Sequence, residues 1–312
     1  MMEWVFGEFR MKYTNKHNVP QEIINAVHND NYTKGEAIIS VTGLLQPPQI
    51  RLLALEHADK LVVDISDEIW KLLGQSVHTI LERANEDNKD TITEQRMFAK
   101  VNDWTISGQT DSIDIKGNIL KDYKVTSVWS VVSAKTEGKA EWEQQLNLYA
   151  WLYRQNTGKN IDQLNIIAIT RDWNKNQYRR SGGNYPPSPI SVIEVKLWTN
   201  EEQEEFVKER VSIHQDAEVG YLISNELPIC TDAERWRRKD TYRVEKKGRK
   251  SAVRVLDTQD EADKFMEGHK DEKQMSIVFA KGECIRCADY CDVSEFCNQY
   301  KKEVARSMGQ II

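Results

Sequence analysis

Two runs rich in β-branched residues, 105–115 and 119–128, flank the tripeptide Lys116-Gly117-Asn118. Alternating runs on either side of a Gly-Asn turn predict a β-hairpin. Side chains alternate faces along a strand, so Asp122 and Lys124 point the same way. A tight turn folds Asp111 back to within about one residue of that pair. Two carboxylates and an ammonium then meet on one edge of a small sheet. Such a set can hold a hard divalent cation, Mg²⁺ or Mn²⁺, and poise a water beside it. Asp114 falls on the face opposite Asp111, toward solvent. The competing reading is an exposed hairpin with no chemistry, because 29% of the chain is charged.

Features on either side of the hairpin bear on that choice. Upstream, Ile69, Leu72, Leu73, Val77, Ile80 and Leu81 stand at helical spacing, which predicts a helix from about 64 to 85. Ser66 or Asp67 is its expected cap. It carries His78, one residue past the inward Val77. An imidazole there adds a nitrogen ligand and shifts preference toward Mn²⁺. The backbone carbonyl of Tyr123, between two inward residues, is the expected further ligand. Glu82 and Glu94 are spare carboxylates. Downstream, 141–156 reads as an amphipathic helix with Trp142, Leu146, Tyr149 and Tyr153 on one stripe and Gly158 as its stop. Gln145 and Tyr149, four apart, share a face.

The remaining chain reads as a helix over 18–28 entered at Pro20, an extended 36–43, and a helix from Pro47-Pro48 to about 60. Strands are expected at 164–170 and 191–197, separated by a polar loop over 172–189 that contains Arg179 and Arg180. Thr199 caps a helix with an acidic first turn, running to about 218. A basic hairpin around Lys247-Gly248, a helix over 260–268 and a cysteine-rich segment follow. Helices, hairpin, helix, two strands and helix suit an α/β fold: a mixed central sheet flanked by helices.

No apolar run approaches the roughly 20 residues that cross a bilayer, and the N-terminus lacks the pattern of a signal peptide. A cytoplasmic protein without membrane contact is expected. The net charge of −6 argues against a wholly basic DNA-coating protein. Between Arg235 and Arg254, however, ten Lys and Arg stand against two acids, with Trp236 and Tyr242 interleaved. Basic residues with aromatics suit a phosphate backbone and unstacked bases. Arg235, Arg237, Arg238, Lys246, Lys247 and Arg249 are the candidate DNA contacts; a solvated basic hairpin is the plainer alternative.

The five cysteines are Cys230, Cys284, Cys287, Cys291 and Cys297. Four within fourteen residues, in a chain expected to stay reduced, read as metal ligands. Zinc and an iron–sulfur cluster both take four thiolates.

The order Gly74-x3-His78, Gly108-x2-Asp111, Asp122-x-Lys124, Gln145-x3-Tyr149 and then cysteines resembles the RecB-like branch of the PD-(D/E)XK nucleases. The nearest likeness is to phage-type nucleases and to CRISPR-associated RecB-like exonucleases. It extends from about Met11 to Gln299. The resemblance implies a restriction-endonuclease-like fold in a single domain over 11–312, after an extension at 1–10. Its parts are a helical 11–100, a catalytic core at 101–220, and a basic lobe with the cysteines at 221–312. It implies catalytic roles for Asp111, Asp122, Lys124, Gln145 and Tyr149, and metal ligation by His78, Asp111, Asp122 and the Tyr123 carbonyl. Lys124 either poises the water or offsets charge on the phosphate. Gln145 and Tyr149 hold DNA or Lys124. The resemblance favours a structural [4Fe–4S] cluster on one distant cysteine, Cys230, and three near the C-terminus, Cys287, Cys291 and Cys297. It would tie the tail to the core. Cys284 competes with Cys291, and zinc remains the alternative. The expected activity is divalent-metal-dependent DNA cleavage, from ends and on single strands. An endonuclease of the same chemistry, a non-catalytic iron–sulfur DNA-binding protein and a metal-stapled adaptor are the rivals.

Overall fold

A computed structural model describes residues 12–29 and 34–307; the extension 1–10 lies outside the described residues. Two compact units divide the chain, Met1–Leu52 with Ala58–Leu227, and Leu53–His57 with Pro228–Ile312. In chain order the first holds β1 (Lys12–Thr14), α1 (Gln21–His28), β2 (Ile39–Ser40) and α2 (Val41–Leu45). Helix α3 (Pro48–Glu56) begins in it, and β3 (Val62–Asp64) and α4 (Ile69–Arg83) follow. Then come β4 (Thr91–Val101), β5 (Trp104–Asp114), β6 (Ile119–Thr126), α5 (Val128–Thr136) and α6 (Ala140–Thr157). β7 (Gln163–Thr170), α7 (Lys175–Arg180), β8 (Ile190–Val195) and α8 (Asn200–Ser224) complete it.

The central sheet is mixed and flanked by helices, as the sequence predicts. Antiparallel β4 covers one whole edge of β5. The other edge of β5 is shared: β6 pairs with it at 112–114, and β2 pairs in parallel at 106–107. β7 runs parallel to β6, and β8 antiparallel to β7. The α6 helix lies against this sheet with Trp142, Leu146, Leu148, Trp151 and Leu152 all buried. It is buried almost all round rather than along the single stripe expected, because the sheet and α8 both pack on it. Its stop at Gly158 is left-handed, φ +69°.

Several elements differ from the sequence reading. Strand β4 was not foreseen; Asn102 and Asp103, φ +46° and +66°, make the two-residue turn that joins it to β5. Both residue types tolerate this conformation in primed hairpin turns. The run 119–128 does not stay extended, because the Ser127 hydroxyl accepts from the N–H of Ser130 and starts α5. In 36–43 only Ile39–Ser40 is strand; the Ser40 side chain caps α2 through the N–H of Gly43. Asp64, not Ser66 or Asp67, caps the turn leading into α4 by accepting from the N–H of Ser66. The 172–189 loop contains α7, capped by Asn174. Helix α8 has the expected Thr199 cap, in a full capping box with Glu202, but runs past 218 to Ser224.

The second unit holds β9 (Thr241–Lys246), β10 (Arg254–Leu256), α9 (Gln259–Met266), β11 (Met275–Ala280) and α10 (Asn298–Ser307). The expected hairpin is β9–β10, and β11 adds an unforeseen third strand along the other edge of β9. Among the described residues no helix is long and apolar enough to cross a membrane.

Candidate metal centre and cysteine cluster

The ladder between β5 and β6 ends at the Ser112–Lys121 pair, so the strands part just where Asp111 and Asp122 stand opposite each other. That parting leaves the main-chain groups of Tyr123 without a main-chain partner on β5. Its N–H donates to the Asp111 carboxylate at 2.6 Å, and its carbonyl lies 3.2 Å from Nε2 of His78 on α4. His78 Nδ1 stands 3.5 Å from Asp111 and 3.5 Å from Glu94. Lys124 Nζ is 2.7 Å from the buried Asp122 carboxylate. His78, Glu94, Asp111, Asp122, Tyr123 and Lys124 line one cavity of about 790 Å³, together with Gly74, Gln109, Gln145 and Tyr149. The amide of Gln145 donates to the Tyr149 hydroxyl at 3.0 Å.

The sequence-derived set therefore comes together, with one addition. Ligand atoms of His78, Glu94 and Asp111 lie within 4.8 Å of one another. Six-coordinate Mg²⁺ at about 2.1 Å puts neighbouring ligand atoms about 3 Å apart and opposite ones about 4 Å apart. The donor set, one imidazole and two carboxylates, suits Mn²⁺ or Mg²⁺. Glu94, a spare acid by sequence, stands opposite Asp111: it is seven residues before Val101, and Asp111 is seven after Trp104, across the Asn102-Asp103 turn. Reading that turn in the sequence would have found it. Gln109 fixes Glu94 by an amide donation at 2.7 Å and accepts in turn from Arg96. Glu82 also lines the cavity.

The charges are strongly coupled. Burial and the adjacent Asp122 push the Asp111 carboxyl up, against the pull of His78 and the Tyr123 N–H. The Glu94 carboxylate holds the His78 imidazole above its ordinary value despite burial, with Asp111 adding to the effect. Burial works to lower the Lys124 ammonium, but its pairing with Asp122 outweighs that and leaves it raised.

The two glycines of the resemblance have different surroundings. A side chain at Gly108 would lie 2.6 Å from Leu152 and 2.9 Å from Tyr149, so α6 can approach β5 this closely only over glycine. A side chain at Gly74 would meet nothing and would project into open cavity space.

In the second unit, four thiols are buried and Cys291 is half-buried. Cys230 is pushed up to about 12 by burial, by Glu234 and by its neighbours Cys297, Cys287 and Cys291. Its main chain exchanges hydrogen bonds with the Gln299 amide at 2.9 and 2.8 Å. The Cys284 thiol neighbours Cys287 but donates to the Glu303 carboxylate at 3.4 Å. The basic stretch is not uniformly free. Arg235 is paired with Asp232 and Glu303, Arg237 with Asp240, and Lys246 with Asp271. Arg238, Lys247 and Arg249 are exposed.

No family model matches this chain, and no curated protein matches it. Among solved structures, the protein SSO0001 is similar at 20% identity and a TM-score of 0.42, over 69% of this chain and 88% of that one. A protein of Eubacterium rectale with a provisional exonuclease name is similar at 14% identity and a TM-score of 0.26, over 46% of this chain and 54% of that one.

Proposed function

We propose that the chain is a divalent-metal-dependent deoxyribonuclease of the RecB-like PD-(D/E)XK type, acting on the ends of single-stranded DNA. The convergence of His78, Glu94 and Asp111 beside the Asp122–Lys124 pair, in one open cavity, carries this reading. His78, Glu94, Asp111 and Asp122 are the donors that would hold Mn²⁺ or Mg²⁺, with the Tyr123 carbonyl completing the set. When bound, such an ion would supply a Lewis acid for the phosphate and a water of lowered pKa. Lys124, held 2.7 Å from Asp122, offsets charge gathering on the phosphate oxygens. Gln145 and Tyr149, joined on one helix face, bound the cavity beside it and position the strand.

The cysteine site is read as a [4Fe–4S] cluster on Cys230, Cys287, Cys291 and Cys297. The influence of Cys287, Cys291 and Cys297 on Cys230 supports that set; Cys284 has the largest thiol influence on Cys287, but its donation to Glu303 supports leaving it out. Zinc is the alternative occupant.

Digestion tests the activity. Linear, 5′-blocked, 3′-blocked and circular DNA are incubated with Mn²⁺, Mg²⁺ or EDTA. Loss of linear but not circular strands, abolished by EDTA and by Asp111→Ala or Asp122→Ala in folded protein, is the expected result. Cleavage of circles would convert the reading to an endonuclease. Full activity in folded Asp122→Ala would remove the site assignment.

A further inference from the structure

Four segments meet at the carboxyl ends of β6 and β7, beyond the metal donors. The parallel register brings Thr126 beside Thr170, and the N–H of Arg171 donates to the Thr126 carbonyl at 2.9 Å. The Asp172 carboxylate accepts from the N–H of Val128 at 2.7 Å, which binds the start of α5 to the chain leaving β7. The Arg171 guanidinium lies 4.4 Å over the ring of Trp70, in the first turn of α4. Trp173, anchored by its indole N–H on the Pro186 carbonyl at 2.8 Å, stands 6.4 Å from the ring of Tyr178.

Two properties of this surface call for a ligand. Trp70 is 55% and Tyr178 39% exposed, and Trp173 is half-buried. Its cations make no ion pair among the described residues. Among the described residues no carboxylate pairs with Arg171, Lys175, Arg179 or Arg180, and Asp172 is already engaged by α5. Indole rings interleaved with free guanidinium groups match a chain of phosphates whose bases are unstacked. A duplex keeps its bases inside and offers this surface phosphates only.

We infer that Trp70, Arg171, Trp173 and Tyr178 form a stacking platform for single-stranded nucleic acid. The inference rests on the nuclease reading for the role of the strand, which the platform delivers to the donors around His78. Trp70 and His78 are eight residues apart on α4, about 12 Å along its axis.

The test is anisotropy of a fluorescein-labelled fifteen-residue oligothymidine and of a blunt DNA hairpin on the full chain in EDTA, where nothing is cut. Trp70→Ala with Arg171→Ala should weaken single-strand binding about tenfold or more and leave hairpin binding little changed. Trp70→Phe, which keeps a stacking face, should stay within about threefold of the parent. In cleavage with Mn²⁺ the double variant should raise KM and leave kcat unchanged. Unchanged single-strand affinity, or equal losses for strand and hairpin, overturns the platform. Cleavage with an unchanged KM in the double variant overturns it too and leaves the nuclease reading intact. A chain that binds the strand through these residues but cuts nothing with Mn²⁺ overturns the nuclease reading alone.

Discussion

Glu94 stands 3.5 Å from the His78 imidazole on a backbone position with φ +47°, inside a strand whose register with β5 is otherwise continuous. A glutamate in this left-handed region costs about 1–2 kcal/mol, a cost that glycine escapes and that Asn and Asp bear more easily. Conformational cost is thus carried where the donors gather. Glu94→Gly and Glu94→Ala should both lose most Mn²⁺ affinity, seen by calorimetric titration. In thermal unfolding Glu94→Gly should exceed Glu94→Ala by about 1 kcal/mol. Equal melting of the two would remove the argument from backbone cost.

Gly108 answers to packing. Glycine→alanine there forces Leu152 and Tyr149 aside, and overpacking of this kind costs about 1–3 kcal/mol. Because Tyr149 holds Gln145, the substitution should also lower cleavage while leaving metal affinity near that of the parent. Parental stability in Gly108→Ala would mean that α6 has freedom to move that the packing does not suggest.

Acid should loosen the first unit through His214. This buried imidazole donates from Nε2 to the Leu44 carbonyl at 3.1 Å and accepts at Nδ1 from Arg51 at 3.2 Å. Burial, with the Arg51 charge, lowers its pKa to about 4. Between that value and the unfolded value near 6.5, the unfolded chain binds the extra proton, so stability falls as pH drops through that window. The loss is of the order of 2–3 kcal/mol by pH 4, since each unit is worth about 1.4 kcal/mol. His214→Gln keeps a donor and an acceptor but does not titrate, so its melting temperature should depend less on pH over that window. An identical pH profile in parent and variant would contradict this.

The cysteine site makes a spectroscopic prediction. Protein purified without air should be brown and carry about four irons per chain. Cys230→Ser should lose the colour and lower the melting temperature, because ligation energy is partly folding energy. Cys284→Ser should keep both. Colour lost with Cys284→Ser and kept with Cys291→Ser would exchange the two ligands, and stoichiometric zinc in colourless anaerobic protein would replace the cluster.

Much of the site was legible because the hairpin is local. Asp111, Asp122 and Lys124 are set by a four-residue turn and the period of a strand, and the capping box at Thr199 needs only its own four residues. What escaped depends on distant partners. Strand β4 reads Thr-Ile-Thr-Glu-Gln-Arg-Met, polar and weakly alternating, because it lies at the sheet edge and turns Glu94 and Arg96 into the cavity. Helix α6 hides its two-sided burial behind polar residues such as Asn147, which is fully buried and donates to the carbonyls of Glu143 and Lys196. Ser127 ends a run of β-branched residues that by itself favours continued strand.

Helix α4 has no buried residue along its fifteen positions, and Ile69, Leu73 and Ile80 remain exposed. A helix with so little apolar anchorage opens locally at lower free energy than α6, so its amides should exchange with deuterium sooner. It nevertheless contributes His78 to donors that otherwise come from the sheet. An ion bridging His78 to Glu94 and Asp111 would therefore act as a clasp, and its binding energy would appear as slowed exchange over 69–83. Filling the centre and closing the helix would be one equilibrium seen from two sides.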